Sequence, residues 1–124
     1  MGKNTKMRSI PEINERDFEV EVLRSGQPVL VNFWAGWSQR CRMLAGVLDE
    51  VAAECKGWAK VVNVNSDDNA HVAVWFGIHS VPTLLCFVNG EVGAKIVGTA
   101  TKEAILAKLK LLAETIPSTP ESIK

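Results

Sequence analysis

Three observations on the 124-residue chain predict an α/β fold, a central mixed β-sheet flanked by helices on both faces. Apolar runs at residues 28–34 and 59–65 suit strands buried on both sides. The stretch between them repeats its apolar residues at spacings of three and four, the mark of one helical face. An Asn-Gly pair then splits two later strands into a hairpin. Crossovers first and a hairpin last place parallel and antiparallel pairing in one sheet.

Each element follows in order. Asn14 to Asp17 precedes Phe18, Val20, Val22 and Leu23, an apolar set that predicts a short helix ending near Ser25 and Gly26. Residues 28–34 form the first strand. Over residues 40–56, Met43, Leu44, Val47, Leu48, Val51 and Ala52 define a helix stopped by Gly57. Residues 59–65 are the second strand, and residues 66–69 turn the chain and cap a helix from Ala70 to about Gly77. Residues 83–88 and 91–97 flank Asn89 and Gly90, which readily take the positive φ angles of a tight turn. An amphipathic helix over residues 102–112 closes the chain.

The domain is expected over residues 10–114, with flexible ends at 1–9 and 115–124, and the first eleven residues are read as frayed. No apolar run reaches membrane-spanning length, and the first ten residues lack the apolar stretch of a secretory signal, so the cytoplasm is the expected compartment. Fourteen basic residues balance fourteen acidic ones, which removes the long-range attraction that nucleic acid would need. Cys41, Cys55 and Cys86 are too irregularly spaced for a zinc site, and an odd number argues against a disulfide framework. Neither a metal nor a cofactor is expected.

A strand running into Phe33, Trp34, Ala35 and Trp37 opens a helix, and Phe76-Gly77-Ile78, Val81-Pro82-Thr83-Leu84, Asn89-Gly90-Glu91 and Val97-Gly98 follow in order. In these motifs residues 10–114 resemble the thioredoxin family, which implies the thioredoxin fold and a role in cell redox homeostasis. The family's reductases carry Trp-Cys-Gly-Pro-Cys, and the matching residues here are Trp37, Ser38, Gln39, Arg40 and Cys41. The attacking cysteine is therefore Ser38, an alcohol that cannot exchange electrons but can cap the helix. Cys41, a residual thiol in the first turn, has no partner three residues earlier.

In the family a buried aspartate helps move the resolving thiol's proton and a lysine on the neighbouring strand pairs with it; the resemblance places Asn32 and Asn63 at those positions, so the relay is lost. Gly46 stands where the family has a helix-kinking proline. Val81-Pro82 matches the family's cis-proline, whose neighbour offers its backbone to an extended client. Trp37, Val81, Pro82 and Gly98 are expected to border a shallow apolar groove, with Gln39 and Arg40 beside it. Arg40 and Arg42 would suit an acidic client segment or an anionic thiol such as glutathione.

The remaining residues carry less. Ser38, His79 and Asp67 lack a nucleophile elbow and make no credible triad. His71 reads as an exposed helical residue, Cys86 and Trp34 as core, and Cys55 as a thiol within reach of solvent. Trp58 and Trp75 add aromatic surface. The resulting expectation is a protein inactive as a dithiol disulfide reductase, acting by binding protein or peptide clients, as the Ser-x-x-Cys domains of some chaperedoxins do. The alternative is a monothiol oxidoreductase using Cys41, with glutathione as its partner thiol.

Overall fold

The computed structural model describes residues 10–115. Helix α1, Glu15–Phe18, runs directly into a π-helical turn at Glu19–Leu23, and β1 follows at Val29–Trp34. Then come α2 at Gln39–Cys55, β2 at Lys60–Asn65, α3 at Ala70–Trp75, β3 at Thr83–Val88, β4 at Glu91–Val97 and α4 at Lys102–Ala113. The sheet order is β2-β1-β3-β4. β1 and β2 are parallel, and the other two pairs are antiparallel.

Strand β1 is buried along nearly its whole length because both of its faces are covered. Leu30 packs with Leu84 and Cys86 beneath α2 and α4. Val29, Val31 and Phe33 point the other way, onto Phe18, Val22 and Phe87. Phe18, Phe76 and Phe87 meet there with ring centroids 5.2–5.6 Å apart. Each such side chain contributes roughly 1.5–3 kcal/mol when fully buried.

Helix α2 buries Cys41, Leu44, Leu48, Val51 and Cys55, one stripe at spacings of three and four. Met43 is not on it. Expected on the buried face, Met43 is 64% exposed, because it precedes Leu44 by one residue and so lies about 100° round the helix. Helix α2 is continuous across Gly46 and ends at Cys55, two residues before Gly57, whose φ of +100° no side chain adopts easily.

Ile10 and Pro11, expected to fray, are instead held. Ile10 is buried, and the Pro11 carbonyl accepts from the Asn63 N–H at 2.8 Å. The expected flexible end at residues 1–9, and all of 115–124 except Thr115, lie outside the described residues. Asn69 occupies the N-cap position of α3, but its side chain does not cap it. Its carbonyl oxygen accepts from the Glu15 N–H and its amide donates to the Asn65 carbonyl, so it ties α1 to the end of β2. Helix α3 stops at Trp75, two residues before the expected Gly77. The hairpin forms at Asn89 (φ 54°) and Gly90 (φ 81°), with a bulge beside Cys86 and Phe87.

Candidate active site

The C-terminal end of β1 delivers the chain into the turn at residues 35–38, and Ser38 takes the extended backbone of an N-cap (φ −91°, ψ 119°). Its hydroxyl accepts from the Cys41 backbone N–H at 3.2 Å. That bond satisfies one of the donors every helix N-terminus leaves open. Gln39, Arg40 and Cys41 thus form the first turn, and Cys41 is only 5% exposed.

Two further bonds hold the turn. The Arg42 guanidinium donates to the Gly36 carbonyl at 2.9 Å, strapping the loop onto its own helix. The Trp37 indole N–H donates to the Asp67 carboxylate at 3.0 Å while the ring stays 71% exposed. Trp34, expected in the core, is half-buried and donates from its indole to Glu12 at 2.9 Å.

The Val81–Pro82 peptide is cis, Pro82 is buried and Val81 half-buried. The Pro82 carbonyl accepts from the Gly98 N–H at 2.9 Å, and Gly98 has φ +91°. Pro82 and Gly98 are therefore joined, whereas the polar contact of Trp37 is to Asp67. His79 is exposed, the Asp67 carboxylate is engaged by Trp37, and the Ser38 hydroxyl is engaged by Cys41.

Behind Cys41 lies a cavity of about 190 Å³, which Asn32, Asn63, Trp34 and Arg42 also line. Asn32 and Asn63 face each other in register, and the Asn32 amide donates to the Asn63 side-chain carbonyl at 3.0 Å. Both stand on the sheet face that carries Leu30 and Val61, where an apolar side chain would ordinarily pack. The Asn32 carbonyl oxygen is buried without a hydrogen-bond partner among the described residues.

The other thiols are shut away. Cys55, expected within reach of solvent, is fully buried, because it closes the inward stripe of α2 and points its sulfur at the Ala59 carbonyl, 3.6 Å away. Burial pushes its thiol up. Cys86, buried in β3, is pushed up to about 11 by the same desolvation. Sequence reasoning missed the Arg42 strap and the Trp37–Asp67 bond, since neither spacing nor residue type announces them. Among the described residues no three His, Cys, Asp or Glu side chains gather as a metal site.

The family model described as Thioredoxin matches residues 9–111. A protein named Thioredoxin from Griffithsia pacifica is 43% identical over 102 residues, covering 82% of this chain and 94% of its own. Thioredoxin 1 of a Nostoc strain is 42% identical over 104 residues, covering 84% of this chain and 97% of the relative. Thioredoxin of Haemophilus influenzae is 46% identical over 96 residues, covering 77% and 90%. Relatives so named, matched over nearly their full length, overturn the expectation of an inactive client-binding protein: the loss of one side chain at Ser38 leaves the turn, the helix and the Pro82–Gly98 loop standing. With its four-stranded mixed sheet and that near-complete match, the chain belongs to the thioredoxin family.

Proposed function

We propose that the chain carries out thiol–disulfide exchange on protein disulfides, with Cys41 as the reacting thiol. One observation carries the reading: of the three cysteines, only Cys41 lies in the first turn of a long helix. A thiolate is the species that attacks a disulfide. Desolvation disfavours one at Cys55 and Cys86, and a thiol at about 11 keeps roughly 10⁻⁴ of itself ionised at neutral pH. Ser38 and Cys41 are then an atypical form of the family's active-site pair, in which the hydroxyl organises the turn and the sulfur does the chemistry.

The Cys41 thiolate attacks one sulfur of a protein disulfide; that S–S bond breaks, a mixed disulfide to Cys41 forms, and the departing sulfur takes a proton. With no second thiol at position 38, a small thiol such as glutathione attacks the Cys41 sulfur and releases the protein as its dithiol. A second molecule of the small thiol frees Cys41 and leaves as the oxidised dimer. Two electrons pass from two small thiols to one protein disulfide. A reducing compartment, the cytoplasm, is the setting this requires.

Trp37, Gln39, Arg40, Val81, Pro82 and Gly98 are the residues we assign to the substrate chain, an extended segment pairing with the backbone at Val81. The positive charge of Arg40 suits the carboxylates of glutathione. Because Cys41 is nearly covered, exchange requires the turn at residues 35–38 to yield. Residues 10–114 act as one unit in this reading.

Insulin reduction with glutathione as the reductant tests it. Turnover above the glutathione background is expected, lost in Cys41→Ala and kept in Ser38→Ala. No rate above background, or an unchanged rate in Cys41→Ala, overturns the assignment.

A further inference from the structure

We propose that Arg42 selects carboxylate-bearing substrates for Cys41, by giving up its hold on the turn at residues 35–38 when an anion takes its guanidinium. Resting on Cys41 as the reacting thiol, this assigns to Arg42 the opening that a nearly covered sulfur requires.

The turn is tied to α2 by a buried bond and an exposed one. The Ser38 hydroxyl accepts from the Cys41 N–H at 3.2 Å, out of reach of solvent. The Arg42 guanidinium donates to the Gly36 carbonyl at 2.9 Å, in the open. Burial fixes the first, whereas a solute can replace the acceptor of the second. Arg42 follows Cys41 directly in α2 and lines the cavity behind it, so the strap joins the middle of the turn to the thiol's own neighbour.

The chemistry of the acceptor decides what releases the strap. A carboxylate carries a full negative charge and accepts two parallel N–H bonds from the guanidinium fork, while a backbone carbonyl is neutral. An anionic substrate therefore draws Arg42 away from Gly36, and a neutral one leaves it in place. A β-carbon at Gly36 would meet nothing closer than the Trp34 ring, 3.9 Å away, so the released residue has room to move. The bond from the Trp37 indole to Asp67 is exposed and holds the turn only weakly. The bond from the Ser38 N–H to the Ala35 carbonyl lies within the turn itself. Without the strap the turn opens more often, on the local scale at which loops open while the core stays folded. Arg42 is thus a positioning residue that acts through the exposure of Cys41.

Alkylation of Cys41 by iodoacetamide, a neutral reagent, tests this with no disulfide present. S-Methylglutathione supplies the carboxylates of glutathione without a thiol, at an ionic strength held constant with sodium chloride. Its addition is expected to speed Cys41 labelling several-fold in the wild type. In Arg42→Ala the rate without it is expected to stand several-fold above the wild type, and its addition to change nothing further. Cys55 and Cys86 are expected to stay unlabelled throughout. A wild-type rate that S-methylglutathione leaves unchanged or lowers would overturn the proposal. So would Arg42→Ala labelling no faster than the wild type, or labelling of Cys55 and Cys86 alongside Cys41, which would trace the gain to a general loosening of the fold. Insulin turnover with glutathione is read separately: turnover there without an effect of S-methylglutathione here would remove the role of Arg42 and leave exchange at Cys41 in place.

Discussion

Asn32 and Asn63 face each other across β1 and β2, and the amide of the first donates to the side-chain carbonyl of the second at 3.0 Å. The pair is neutral, yet it buries an Asn32 oxygen with no partner among the described residues. Removing one member strands the other. Asn63→Leu is expected to cost about 1–3 kcal/mol, while Asn32→Leu/Asn63→Leu recovers most of that loss. Urea denaturation of the two single variants and the double variant checks the sign of the coupling.

The cap at Ser38 has its own expected cost. Ser38→Ala opens the bond to the Cys41 N–H and is expected to lower stability by about 1 kcal/mol. Ser38→Asp keeps an acceptor at the same place and is expected to hold stability near the wild-type value. Thermal melts of the two variants decide it; equal melting temperatures would show that the bond contributes nothing.

Alkaline stability turns on Cys86. The folded thiol is pushed up to about 11 from an ordinary 9.0, so the folded state holds its proton where the unfolded chain has lost it. The contribution is therefore complete below pH 9 and disappears as pH rises from 9 through about 11. Two units correspond to roughly 3 kcal/mol. Denaturant midpoints measured between neutral pH and pH 11 should fall less steeply in Cys86→Val than in the wild type.

Accessibility separates the three thiols. Under native conditions a small alkylating reagent is expected to label Cys41 slowly and to leave Cys55 and Cys86 untouched until denaturant is added. Peptide mass mapping over time reads the order. Native labelling of Cys55 ahead of Cys41 would contradict the burial described above.

Trp37 tests substrate contact. Its indole bond to Asp67 is exposed and contributes little to stability, so Trp37→Ala should leave the melting temperature within a degree or two. Exchange with a protein disulfide should slow while exchange with a small disulfide continues. Equal slowing of both would remove Trp37 from the substrate surface.

Much of this was legible in the residues. The strand boundaries and the hairpin followed from apolar runs and from Asn89-Gly90, because backbone preference and burial agree there. The helix cap at Ser38 was legible for the same reason. Burial within a helix was less so: Met43 has the right chemistry and the wrong angle, and Cys55 beside Lys56 looked peripheral until the stripe from Cys41 was drawn through it. Pro11 looked frayed because its anchor is a backbone bond to Asn63, which no side chain encodes. Function was the least legible, since Ser38 alone argues for lost activity while the scaffold around it is the one shared with relatives named Thioredoxin.

The hairpin tip bears on how this molecule could be engineered. A β-carbon at Gly90 would stand 3.0 Å from the Leu23 carbonyl oxygen, so the tip is wedged against the end of the first helical segment. Epitopes and fusion partners are commonly spliced into such tight reversals because they point into open water. Here the splice would act as a lever, prising the opening helix from the sheet and loosening the aromatic cluster beneath it.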